Sequence, residues 1–158
     1  MNVLTDKHIF FSVGSEKYGI NISSVKEIIR FEKITLVRDA QKYLKGVINL
    51  RGKIIPIIDL RIKFGIDEKE YDDRSIFIIV EINENDSDYL LGMAVDEVYE
   101  VHDIDEKSIQ TPPKIGAGNK SKYLKGMVKF NEEIAIVLDI NKILISKEII
   151  RMDSINAS

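Results

Sequence analysis

The chain has 158 residues, 44% of them hydrophobic, enough to bury a core in one compact unit or two small ones without a metal or disulfide staple. It holds no cysteine, which excludes disulfide frameworks, zinc–thiolate sites and thiol catalysis. Its 23 Lys and Arg interleave with 26 Asp and Glu for a formal net charge of −3, so no basic stripe awaits a nucleic acid.

No uncharged stretch reaches the roughly 18 residues of a membrane span, and Met1–His8 lacks a basic segment followed by an apolar run. A cytoplasmic chain with no direct membrane insertion is expected. Isoleucine occurs 28 times against 5 alanines, a bias toward the half-buried surface of a sheet.

Short apolar runs separated by turn residues follow in chain order. His8–Val13 and Tyr18–Ile22 flank Gly14-Ser15-Glu16-Lys17. Ser23 or Ser24 then reads as the cap of a short helix with Val25, Ile28 and Ile29 on one face. Gly46–Leu50 and Lys53–Ile58 flank Arg51-Gly52, a tight hairpin, and Pro56 predicts an edge or bulged strand. Ser75–Ile82 is the strongest strand, and Tyr89–Val95 returns from a polar turn. Ser146–Met152 reads as a terminal helix.

An internal repeat organises these runs. Tyr43-Leu44-Lys45-Gly46 recurs 80 residues later as Tyr123-Leu124-Lys125-Gly126, a register that pairs Ile54 with Ile134 and Asp59 with Asp139. Gly19-Ile20-Asn21-Ile22 returns 73 residues later as Gly92-Met93-Ala94-Val95, which pairs Val25 with Val98 and Glu27 with Glu100. Two copies of one small β unit explain the pattern.

Nothing resembles a catalytic constellation. His8 and His102 read as strand-edge residues. Asp103, Asp105 and Glu106 lack the Gly and closing Glu of a calcium loop. Gly116–Ser121 lacks the Gly-Lys-Ser/Thr order and preceding strand of a phosphate loop. No cofactor and no metal are expected.

One stretch is specific. Gly46-Val47-Ile48-Asn49-Leu50-Arg51-Gly52-Lys53-Ile54-Ile55-Pro56-Ile57-Ile58-Asp59-Leu60-Arg61 resembles the signature of the CheW-like domain family. Tyr18-Gly19-Ile20, Val25-Lys26-Glu27-Ile28, Leu91–Asp96, Tyr123–Gly126 and Ile136–Asp139 extend the resemblance from about Phe10 to Leu144. It implies an all-β fold of two five-stranded SH3-like β-barrels packed side by side with a groove between them, and short helices including a C-terminal one.

The resemblance also implies a non-enzymatic chemotaxis adaptor that couples the cytoplasmic tips of methyl-accepting chemoreceptors to the regulatory domain of the histidine kinase CheA. Carried over by position, Val25, Glu27, Gly46, Asn49 and Arg51 are the receptor-coupling candidates. Val98, Ile104, Met127 and Phe130 are the kinase-facing ones. Glu27 and Arg51 are expected to pair, ordering the hairpin and shaping the groove at once.

The expected organisation is one domain over 1–158, with a first barrel over roughly 14–82, a second over roughly 7–13 and 83–145, and a helix and tail over 146–158. The rival readings are an excised CheW-like domain of CheA or CheV, and a two-barrel small-ligand-binding protein. With Met1 at its start and no room for a domain beyond Met152, a free-standing adaptor is the preferred reading.

Overall fold

The computed structural model describes residues 5–37, 42–84, 86–111 and 123–143. Among them run β1 (Thr5–Val13), β2 (Glu16–Asn21), β3 (Val25–Arg30), β4 (Leu44–Leu50), β5 (Lys53–Asp59), β6 (Ile76–Glu84), β7 (Ser87–Val95), β8 (Glu97–Asp105), β9 (Leu124–Phe130) and β10 (Glu133–Leu138). A short helix, α1 (Leu60–Phe64), follows β5, and single 3-10 turns cover Ile22–Ser24, Glu106–Ser108 and Ile140–Lys142. The strands form two five-stranded sheets, sheet A in the order β8-β1-β2-β10-β9 and sheet B in the order β3-β6-β7-β5-β4. The expected all-β architecture of two five-stranded units is what forms.

Side chains alternate across a strand, and here both faces of the inner strands are apolar. On β1, Ile9, Phe11 and Val13 enter a cluster shared by the two sheets, while Phe10 enters one confined to sheet A. On β6, Ile78, Val80 and Ile82 enter the shared cluster, and Phe77 and Ile79 enter one confined to sheet B. Three apolar cores result: one inside each sheet's own curve and a larger one that joins them. This double burial explains the near-continuous apolar runs at Ile9–Val13 and Ile76–Ile82.

The repeat is real and its halves are interleaved. Asp59 N donates to Tyr43 O at 2.7 Å, and Asp139 N to Tyr123 O at 2.7 Å. Each of these aspartates then caps the turn behind it, through Arg61 N and Asn141 N. Val47 exchanges two backbone hydrogen bonds of 2.8 Å with Thr35, and Met127 does the same with Gln110. In both halves a parallel ladder follows, with Ile57 opposite Gly92 and Val137 opposite Gly19. The hairpin β1–β2 of the first half therefore completes sheet A with strands of the second half. Hairpin β6–β7 of the second half completes sheet B.

That exchange corrects the segmentation read from the sequence, which assigned β2 to the first unit and β7 to the second. Each stays with its hairpin partner, because the short turns lock β1 to β2 and β6 to β7 in continuous antiparallel register.

Three local expectations change as well. The segment after Ser24 is strand β3, not a helix. Asn21 Oδ1 accepts from Ser23 N and caps only a single 3-10 turn. Val25, Glu27 and Ile29 then alternate with the exposed Lys26, Ile28 and Arg30.

Pro56 lies in β5, between β4 and β7, and not on an edge. Its neighbour Val47 spends its backbone groups on Thr35. The imide nitrogen consequently faces the β7 side, where pairing begins only at Ile57.

His8 is buried inside the sheet, opposite His102 on β8, so only His102 lies on an edge strand. The Ser146–Met152 helix and the Gly116–Ser121 loop lie outside the described residues.

Candidate functional site

The β4–β5 hairpin turns through Arg51 and Gly52, at φ 51° and 85°. Asn49 Oδ1 accepts from Gly52 N at 2.9 Å and closes the turn. Arg51 is thereby raised from the hairpin tip toward β3. Its Nη1 donates to Glu27 Oε1 at 2.9 Å and its Nη2 to Glu27 Oε2, a two-pronged guanidinium–carboxylate pair. The Arg51 hydrogen bonds hold the Glu27 carboxyl below its ordinary value, and Glu27 raises Arg51 in turn. The pair sits at the surface, with side-chain exposures of 69% for Arg51 and 31% for Glu27.

Beside the pair opens a groove of about 750 Å³. Its apolar floor is Leu50, Ile55, Ile79 and Leu90, with Tyr89 on one wall. Its rim sets Lys26, Arg51 and Lys53 against Glu27, Glu81 and Asp88. Lys26 and Glu81 are 3.5 Å apart. A neutral charge balance over an apolar floor suits an amphipathic segment bearing both signs of charge, not a phosphate or a metal ion.

The groove opens on sheet B alone. The space between the sheets, where the sequence reading placed it, is filled by the largest apolar cluster.

The other receptor-coupling candidates are structural supports. Gly46, at φ 150°, lies so close to the strap before β4 that a Cβ there would sit 2.2 Å from Thr35 O. Val25 is half-buried at the start of β3, against the shared core. Asn49 orders the turn that carries Arg51.

The kinase-facing candidates divide. Met127 lines a shallow hollow of about 320 Å³ with Ile136 and with Ile134, which is 65% exposed. Val98 is half-buried against the shared core. Ile104 and Phe130 offer no surface: both lie in the sheet A core, and Phe130 stacks on Phe10 at 4.3 Å. The period-2 pattern of a strand does not say which face is enclosed, so the sequence leaves their burial open.

Most of the groove went unnamed in the sequence reading. Leu50 and Ile55 sat in the quoted motif unrecognised as lining. Ile79, Glu81, Asp88, Tyr89 and Leu90 come from β6 and β7, which only the hairpin exchange brings there. No local signal marks them.

Among the described residues, no cluster of three or more His, Asp or Glu side chains is placed to hold a metal ion. No helix there is long and apolar enough to cross a membrane.

Comparison with known proteins agrees with this geometry. The family model for the CheW-like domain matches residues 7–148. The chemotaxis protein CheW of Klebsiella aerogenes is 33% identical over 150 residues, 95% of this chain and 88% of that one. The chemotaxis protein CheW of Bacillus subtilis is 32% identical over 139 residues, covering 88% and 86%. The crystal structure of the scaffolding protein TtCheW from Thermoanaerobacter tengcongensis superposes with a TM-score of 0.79 at 34% identity, covering 92% of this chain and 96% of that one.

Proposed function

Because this chain belongs to the CheW-like domain family, it is a chemotaxis adaptor and not an enzyme, and we propose that it couples the cytoplasmic tips of methyl-accepting chemoreceptors to the histidine kinase CheA. The observation that carries this reading is the sheet B groove, apolar along its floor and bordered by the Glu27–Arg51 pair. A chemoreceptor tip supplies the helical segment such a groove suits, with apolar residues for the half-buried Leu50, Tyr89 and Leu90 and charges for the rim.

The kinase takes a different surface, on sheet A around Met127, Ile134 and Ile136. Two partners are then held at once by two sheets sharing one core. Location follows from the partners: the adaptor gathers at receptor arrays without entering the membrane.

The test is assembly of a ternary complex from purified adaptor, CheA and a receptor signalling fragment. Arg51→Ala should remain folded and still bind CheA while losing recruitment to receptor. Equal loss of both partners, or of neither, would remove the groove from the receptor-coupling role.

A further inference from the structure

The six charges on the rim of the sheet B groove are not equivalent. Four are already matched. Glu27 on β3 is paired with Arg51, which reaches over from the β4–β5 turn, and Lys26 on β3 lies 3.5 Å from Glu81 on β6. Both pairs stand on the β3 side of the groove. Lys53 at the start of β5 and Asp88 near the start of β7 are left over. Both are exposed, and neither forms an ion pair or a side-chain hydrogen bond among the described residues.

Their isolation has a structural cause. β5 and β7 pair in parallel only from Ile57 opposite Gly92 to Asp59 opposite Ala94. That offset, carried back along both strands, sets Ile55 across from Leu90 and Lys53 across from Asp88. Over this stretch no ladder forms, and Pro56 has no N–H with which to start one. The strands part here. Ile55 and Leu90 become groove floor, and the two charges stand on opposite lips of the gap without pairing.

A lone cation and a lone anion on the two lips of an apolar gap favour a partner that brings the opposite charges in matching order. Helical residues one turn apart share a face, about 5–6 Å from each other, and can serve both lips at once. We infer that Lys53 and Asp88 are the residues by which this chain selects its receptor segment and sets the segment's direction in the groove. The segment carries an acidic residue for Lys53 and a basic residue for Asp88, one helical turn apart on the face that meets the floor. Laid the other way, it would set like charge against each lip. This rests on the receptor reading of the sheet B groove.

The experiment titrates a soluble fragment of a methyl-accepting chemoreceptor's cytoplasmic tip into variants of the full chain, at low and at physiological salt. Lys53→Glu and Asp88→Lys should each weaken binding about fivefold to tenfold at low salt, and less at higher salt, because exposed charges are screened. Melting temperature and CheA binding should stay at the parent's values. Lys53→Glu with Asp88→Lys keeps the net charge and should still bind the parent fragment weakly. Exchanging each acid–base pair one turn apart on the fragment should yield one version that recovers binding to this doubly reversed chain and loses it on the parent. Should a reversal lower the melting temperature, Lys53→Gln and Asp88→Asn report the loss without a repelling charge.

Parent-level binding by the folded single variants overturns the inference. So does a doubly reversed chain that binds the parent fragment as the wild type does, or a scan in which no exchange restores binding. In each of these cases a loss on Arg51→Ala would leave the receptor reading standing and remove only the selection by Lys53 and Asp88. Failure of the receptor reading looks different: Arg51→Ala would bind the fragment as the wild type does, and so would both reversals.

Discussion

Arg61 and Asp96 form an ion pair that ties the two sheets together behind the shared core. Arg61 lies on α1, directly after β5 of sheet B, and Asp96 lies in the link from β7 to β8. The same Asp96 carboxylate accepts from Gly14 N at 2.7 Å, in the β1–β2 turn of sheet A. The side chains are only 13% and 24% exposed.

Burial opposes the charge on Asp96, but hydrogen bonds from Arg61 and Gly14 outweigh it and hold the carboxyl below its ordinary 3.8. A carboxyl lowered in the fold contributes stability that is complete above about pH 4 and is lost as pH falls through the lower folded value. Asp96→Asn should therefore flatten the acid limb of a stability-versus-pH curve below pH 4. At neutral pH it should cost about 1–3 kcal/mol, between the exposed and buried limits for breaking an ion pair. Urea unfolding across pH 2.5–7 measures both. An unchanged acid limb would assign the effect elsewhere.

Phe130→Asp should fail as a folding lesion, not as a clean loss of kinase binding. Phe130 is buried against Phe10, and truncating a buried Phe already costs about 3–5 kcal/mol before any buried charge is added. The melting transition should drop steeply or vanish. A well-folded Phe130→Asp protein would show that the ring is not enclosed.

Gly46→Ala and Gly126→Ala should be comparably severe, because each glycine lets its strand meet a neighbouring strap. A Cβ at Gly126 would lie 2.3 Å from Ile109 Cγ2 and 2.9 Å from Gln110 O. Relief would require opening the Thr35–Val47 or the Gln110–Met127 bridge. Each substitution should cost at least about 2 kcal/mol. Gly52→Ala meets open space and carries only the strain of its positive φ, about 1 kcal/mol. Thermal melts should place Gly46→Ala and Gly126→Ala well below Gly52→Ala, which stays nearer the parent protein.

Arg51→Ala should melt close to the parent protein, since its ion pair with Glu27 lies at the surface. Reversing both charges, Glu27→Arg with Arg51→Glu, should restore the pair and the melting temperature but not receptor recruitment, because a partner would meet each charge in the wrong place. Recruitment by the double reversal at the wild-type level would reduce the pair to a structural role.

Tyr71→Phe removes the hydroxyl that donates to the buried Asp59 carboxylate at 2.7 Å. Burial, reinforced by the Asp59 charge, raises the Tyr71 hydroxyl far above its ordinary value, so it stays a proton donor throughout the neutral range. The variant should lose about 1–3 kcal/mol, as expected for a hydrogen bond to a charged group. Receptor and kinase binding should persist in a pull-down, since neither side chain lines the groove.

Much of this molecule is written locally. The Asn49–Gly52 turn needs a side-chain acceptor at Asn49 and a glycine at Gly52, and those residues make the turn. The repeated Tyr-Leu-Lys-Gly segments and paired aspartates mark two equivalent units, and the backbone hydrogen bonds of Asp59 and Asp139 coincide. Apolar runs mark the strands, because β-branched side chains two residues apart share a face.

What the sequence by itself determined was therefore most of the strands, the tight turns and the duplication, while β3 read as a helix and β8 went unread. Tertiary structure alone decided which strands become neighbours. Alternation marks two faces but does not say which one meets solvent, so Phe130 is enclosed while Ile134 is exposed. Nor does it say whose edge a hairpin completes. The exchange of β1–β2 and β6–β7 depends on burying the shared core, a gain that appears only when residues far apart in the chain meet. The groove inherits that dependence: its hairpin tip is local, but β6 and β7 supply Ile79, Glu81, Asp88, Tyr89 and Leu90 to its lining.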